Sequence, residues 1–199
     1  MLRLEGYETF TLLALDPGLN NTGVAIFTVQ IDPPQILKIE AETLKADRLI
    51  DTSGLDDEEY IERVHKRYAL KSALQKFLKH YHPDVTACES PFFDRRKPGS
   101  FAVLSEVLTT LFDTVTGHHP SVHFSLIEPL TAKAVLGVAG QKGKEVVKVA
   151  VSELPTVIEA LEGRLDDLDE HAIDAIGIGV TYLVRKMGLF PELDRRKSK

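Results

Sequence analysis

The sequence predicts an α/β domain built on a mixed sheet, three antiparallel strands followed by parallel strands, flanked by helices. Three observations carry this expectation. Apolar runs recur over residues 11–44 with only turn signals between them, too closely spaced to admit an intervening helix. Helical and strand-like segments then alternate. The closing segment from Glu170 is apolar around much of its circumference, the pattern of a helix covered on most sides.

The first strand is read at Thr11 to Leu15, so apolar that both of its faces should be buried. Asp16-Pro17-Gly18 and Asn20-Asn21-Thr22-Gly23 supply the turn, and Val24 to Val29 returns as the second strand. After the Asp32-Pro33-Pro34 break, Ile36 to Leu44 alternates as a third. Residues 45–57 are polar and acidic and are expected to form a surface connection. From Glu58 to His80 apolar residues recur near helical spacing (Ile61, Val64, Tyr68, Leu74, Leu78), and His82-Pro83-Asp84 ends the helix. Val85 to Cys88 is a short apolar strand running into Glu89. Pro91 and residues 94–99 mark a loop, and Ser100 is read as the cap of a second helix reaching about Thr116. Val122 to Ile127 reads as another strand, Pro129 opens a short helix, and a Gly/Lys loop over 137–144 leads to a further helix. In the last helix Gly177 and Gly179 each cost about 1 kcal/mol relative to alanine, so close packing is expected to hold it.

With 199 residues and 43% apolar content, the chain should bury one core. The expected division is a single domain over 1–190 and a basic, disordered tail over 191–199. The one cysteine, Cys88, excludes an internal disulfide and a cysteine-based structural zinc site, fits a reducing compartment, and reads as a small buried strand residue. The N-terminus lacks a secretory layout, and no apolar run approaches the roughly 18 residues of a membrane span, so the expectation is a soluble cytoplasmic protein without a membrane partner. Lys and Arg total 24 against 30 Asp and Glu, a formal net charge of −6. Any polyanion must then be met by a local basic patch.

Asp16 alone reads as ordinary Asp-Pro-Gly turn chemistry. Its setting changes when three distant groups are placed beside it. Asp16 and Glu89 each stand immediately after a short apolar strand, so parallel neighbours would bring both carboxylates to one sheet end, where ligands of such sheets tend to bind. His171 and Asp174 are three residues apart and share one face of a helix's first turn. Asp166 and Asp167 read as acids favoured near a helix N-terminus, while Asp169 and Glu170 stay open as supporting groups.

In these blocks the chain resembles the RuvC family of Holliday junction resolvases, which have a ribonuclease H-like fold. The resemblance rests on Asp16-Pro17-Gly18 with Thr22-Gly23, on Glu89 followed by Phe92, and on His171-Ala172-Ile173-Asp174-Ala175. It extends more loosely to Lys133 and to the Gly137 to Lys144 loop with Val146. It implies a catalytic and metal-binding set of Asp16, Glu89, His171 and Asp174, with histidine where many relatives carry aspartate. It also implies Mg²⁺, two ions with Mn²⁺ as substitute, since two ions about 4 Å apart bind both the attacking and the leaving oxygen of a phosphodiester. The implied reaction is hydrolysis of branched DNA, four-way junctions above all, in recombination and repair, leaving a 5′-phosphate and a 3′-hydroxyl. Paired cuts in a junction of near two-fold symmetry imply a homodimer, for which the second helix carries apolar surface at Phe101, Val103, Leu104, Val107, Leu108, Leu111 and Phe112.

DNA contact is assigned to two segments. Pro91-Phe92-Phe93-Asp94-Arg95-Arg96-Lys97 joins two aromatics to three cations, with rings suited to exposed bases and cations to phosphates. Phe92 matches the resolvases' aromatic at the crossover by resemblance; in the alternative reading, a core Phe pair beside a solvated basic loop, Phe93 is the better core candidate. Lys142 and Lys144 lie among Gly137, Gly140 and Gly143 in a loop able to approach phosphate, and Lys133 and Lys144 match basic positions of the resolvases by resemblance, which implies phosphate contact for them. The loop lacks the full Gly-x4-Gly-Lys-Ser/Thr pattern of an NTPase. The rival readings are a non-nucleolytic nucleotide-binding or assembly module of the same fold, and a resolvase-like nuclease acting on RNA. A nucleotide binder would want a second Gly-rich loop after a later strand, where residues 89–92 give Glu-Ser-Pro-Phe.

Overall fold

The computed structural model describes residues 8–49, 59–93, 95–96, 98–143, 145–190 and 193. Thr9–Asp16 (β1), Asn21–Gln30 (β2) and Gln35–Lys45 (β3) form an antiparallel meander. Val85–Glu89 (β4) and His123–Ile127 (β5) extend it in parallel, giving the sheet order β3-β2-β1-β4-β5. The mixed sheet expected from the apolar runs is the one observed.

Ala46–Leu49 (α1) is a single helical turn after β3, inside the stretch expected to be a plain connection. The rest of that stretch, 50–57, lies outside the described residues. Glu59–Tyr81 (α2) and Pro98–His118 (α3) are the crossovers into β4 and β5. Helix α3 begins at Pro98 rather than after Ser100, because the fixed φ of proline suits a first helical turn. Ser100 therefore sits within the helix and does not cap it. Pro129–Val135 (α4) and Val146–Ser152 (α5) follow as expected. Pro155–Ala160 (α6) and a 3-10 turn at Arg164–Asp167 were not legible from periodicity, being too short to show one. Glu170–Met187 (α7) is followed by Phe190 and Leu193, both buried in the core on the α7 side, so Leu193 of the stretch expected as a tail is packed, and the rest of 191–199 lies outside the described residues.

The two sheet faces have separate cores, and side-chain alternation sorts them. Leu13, Leu15, Val24, Ile26 and Cys88 pack under Leu70, Leu74, Leu78 of α2 and Val107, Leu111 of α3. Leu12, Ala14, Ala25, Phe27, Ile39, Val85 and Ala87 face the opposite way, onto Ile173, Ile176, Val180 and Leu183 of α7 and the helices around it. Helix α7 is buried along most of its length. Its glycines are what let it lie so close. A Cβ on Gly179 would overlap the Phe27 ring, and one on Gly177 would stand 3.0 Å from Val147 Cγ1 and 3.2 Å from Leu136 Cδ1. Cys88 is fully buried, and burial pushes its thiol well above the ordinary range, so it is an inert core residue.

Among the described residues no helix is long and apolar enough to cross a membrane.

Candidate active site

Sheet geometry decides which side chains meet. Counting by twos from Leu12 and Ala14 places Asp16 on the α7 face, and counting from Val85 and Ala87 places Glu89 there too. Leu15 pairs with Cys88 in the parallel β1–β4 register, so the next residues, Asp16 and Glu89, end adjacent strands side by side. The same face carries Gly23, the register partner of Asp16, and Thr43, the register partner of Gly23. Asp16, Gly23 and Thr43 thus form a row across three strands at one sheet end.

The N-terminus of α7 lies over this row. Asp169 caps it, accepting from the Ala172 amide at 3.3 Å. The His171 carbonyl occupies the space that a Cβ on Gly23 would fill. His171 Nδ1 stands 3.0 Å from Asp16 Oδ2. Asp16 is buried and His171 half-buried. Facing a carboxylate, Nδ1 carries the proton and donates it, which leaves the Nε2 lone pair for a ligand or a proton. Nε2 is 4.0 Å from Glu170 Oε1.

Burial and like charge both act on the acids. Burial first, then Asp16 and Asp174, push Glu89 up to about 8, with Lys133 working against them. Burial, then Asp16, push Asp174 up to about 7, opposed by His171 and Lys133. Asp16 is raised by its burial in spite of the His171 hydrogen bond, and that bond in turn raises His171. Like charges are held together with too little positive charge beside them, the condition a divalent cation relieves. Among the described residues no three His, Cys, Asp or Glu side chains already close around a common point. The donor set nevertheless suits a hard cation, with three carboxyls and one imidazole and no thiolate at the surface.

Lys133, on α4, reaches this group electrostatically and is half-buried. Phe92 is 58% exposed three residues beyond Glu89, and Arg95 and Arg96 are exposed after it. Phe93 is 53% exposed and meets Phe101 edge to face, with ring centroids 5.6 Å apart, so the alternative of a core Phe pair does not hold. Ser90, whose amide still bonds Ile127 at 2.9 Å, continues from the carboxyl end of β4, and neither ring belongs to either core. Lys142 is exposed in the loop after α4, in a stretch containing the left-handed Gly140 and Gly143. Lys97 and Lys144 lie outside the described residues.

Lys66 was missed by sequence reasoning. Nearly buried on α2, it holds Asn20 Oδ1 at 2.9 Å, Asp47 at 2.9 Å and Glu62 at 2.6 Å, tying α2 and α1 to the turn that follows Asp16. Thr22 Oγ1 donates to the Gly18 carbonyl at 2.7 Å within the same turn. The turn that aims Asp16 is therefore anchored from inside and outside.

The fold has counterparts of known structure. Thermus thermophilus RuvC, solved in complex with a Holliday junction substrate, aligns at a TM-score of 0.62 and 19% identity over 89% of this chain and 96% of that one. The chain has the RuvC fold. The yeast mitochondrial Holliday junction resolvase Ydc2 aligns at 0.57 and 16% identity, over 96% of this chain and 85% of that one. The fowlpox virus Holliday junction resolvase aligns at 0.50 and 12% identity, over 88% and 98%. No protein-family model and no curated protein matches the sequence. The RuvC fold accounts for the mixed sheet, and at these identities the likeness is one of fold.

Proposed function

We propose that this chain is a Mg²⁺-dependent endonuclease that hydrolyses phosphodiesters in branched DNA, with four-way junctions as its preferred substrate. One observation carries the reading. Asp16 and Glu89 end adjacent parallel strands on the α7 face, and the first turn of α7 brings His171 onto Asp16 and Asp174 within electrostatic reach of both acids. The shared fold supports it, since the aligned neighbours are Holliday junction resolvases and one was solved with junction DNA.

Asp16, Glu89, His171 and Asp174 would hold the cations, with Mn²⁺ able to replace Mg²⁺. Bound there, such ions neutralise the phosphodiester and acidify an attacking water. The protein's own groups prepare the site. Asp16 fixes the His171 ring through Nδ1 and keeps Nε2 available. Lys133 offsets the acids and would meet a phosphate oxygen. Phe92 offers a ring to an unstacked base at the crossover, while Arg95, Arg96, Lys97, Lys142 and Lys144 hold the flanking strands. Cleavage leaves 5′-phosphate ends, and two copies of the chain make the paired cuts. Phe101 and Phe112, 37% and 45% exposed on α3, supply apolar surface for that dimer.

The test incubates purified protein with labelled four-way, forked, linear duplex and RNA–DNA substrates in Mg²⁺, beside Asp16→Asn and Glu89→Gln. The reading requires cleavage of branched DNA that both substitutions reduce at least about 100-fold, the loss typical when a transition-state contact is removed. Binding without cleavage above the variants' level would reject it, and preferential cutting of RNA–DNA would move the substrate to RNA.

A further inference from the structure

The first turn of α7 is docked on the sheet at two points, and only the inner one, where His171 meets Asp16 and Gly23, belongs to the site described above. The outer point is Asp169. Its Oδ1 accepts the Thr43 hydroxyl of β3, across 126 residues of sequence, as well as the Ala172 amide of its own helix. Its Oδ2 pairs with Lys45 Nζ at 3.3 Å. Capping α7 needs only the amide bond, so the bonds to β3 call for a separate explanation. Thr43, Gly23 and Asp16 stand in one register row, and Asp169 and His171 are two residues apart on the element that crosses it. Fixing Asp169 to the outer strand therefore sets where His171 and Asp174 fall over the inner ones.

We infer that Asp169 is a positioning residue. With Thr43 and Lys45 it forms a latch from the outer strand to the α7 cap, and this latch holds the His171 ring on Asp16 and Asp174 beside Glu89. The two arms of the latch differ. Lys45 and Asp169 side chains are each 39% exposed, so their ion pair is open to screening by salt. The Thr43 hydroxyl bond is uncharged on the donor side and carries the placement at any ionic strength. Only the cleavage and cation readouts of this inference rest on the proposed nuclease function.

The test compares Thr43→Val, which keeps shape and strand preference but removes the donor, with Thr43→Ser, which restores it, and with Asp169→Asn, which keeps a capping side chain. The primary readout is the His171 imidazole resonances in cation-free protein, which report the Nδ1 hydrogen bond to Asp16 whether or not the chain cleaves DNA. Thr43→Val should shift them toward an unbonded ring and Thr43→Ser should return them. Affinity for Mn²⁺, titrated without DNA, should fall about tenfold in Thr43→Val, as when the support that orients a ligand is lost. Turnover should fall with it, at unchanged KM for junction DNA. Unshifted His171 resonances in both Thr43→Val and Asp169→Asn would overturn the latch, as would equal effects of Val and Ser. If wild type neither binds Mn²⁺ nor cleaves, the nuclease reading fails while the resonances still decide the latch.

Discussion

The backbone carbonyl of His171 rests where a Cβ on Gly23 would be, so the helix bearing half of the acidic site touches the β2 backbone directly. Gly23→Ala should force these elements apart and draw the His171 ring off Asp16. The expected result is a loss of cleavage of at least about tenfold, since misplacement of order 1 Å costs more than that. Because Gly23 lies at a strand end, the loss of thermal stability should be modest by comparison. Parallel melting and cleavage assays check this, and an alanine variant with full activity would contradict the contact.

Glu89 and Asp174 carry protons in the folded, cation-free protein at pH values where the unfolded chain has released them. From about pH 4.5 to about 8 the native state binds the excess, so stability in EDTA falls as pH rises through that window. His171, raised by Asp16, adds to the same trend. Mg²⁺ should raise the melting temperature most near pH 8, and Glu89→Gln should flatten both the pH dependence and the Mg²⁺ effect. Calorimetry in EDTA and in Mg²⁺ provides the comparison, and a cation-free protein that melts higher at pH 8 than at pH 5 would reverse the sign.

Gly179 tests the packing of α7 on the sheet. An alanine there gains about 1 kcal/mol of helix propensity, but its Cβ would overlap the fully buried Phe27 ring. Overpacking of this kind costs about 1–3 kcal/mol, so Gly179→Ala should destabilise in net. Denaturant unfolding measures it, and a stabilised variant would show that the ring can move aside.

The exposed ring of Phe92 and the exposed guanidinium of Arg95 should contribute differently to DNA affinity. Phe92→Ala should weaken junction binding by about 1–3 kcal/mol at every salt concentration, as loss of one stacked base does. Arg95→Ala should instead reduce the salt slope by about 1. Equilibrium binding across a salt series in the Glu89→Gln background separates the two.

Much of this was legible in the sequence because it depends on local pattern. Apolar runs ending in Asp16 and Glu89 placed both acids at strand exits, and three-residue spacing put His171 and Asp174 on one helical face. Contacts set by tertiary register were not legible. Gly23 reads as the end of a turn, whereas β2 already begins at Asn21 and pairs Gly23 with Asp16, and nothing near Thr43 announces a partner 126 residues away. Lys66 looked like one more charge on a helix, since its burial depends on where the Asn20 turn falls. Phe93 looked the better core candidate of the two rings because an aromatic after Pro91 is apolar by composition, whereas its burial depends on how far the loop stands off the sheet. The start of α3 was misplaced because Ser100 and Pro98 both signal a helix N-terminus, and the proline lies first.

The central claim is that Asp16, Glu89, His171 and Asp174 share a divalent cation. Anomalous diffraction from crystals soaked in Mn²⁺ measures it most directly. The account predicts a peak bounded by Asp16 and Glu89 at the ends of β1 and β4, with His171 or Asp174 beside it, absent from Asp16→Asn crystals. A peak elsewhere on the protein, with none at the ends of those two strands, would contradict it.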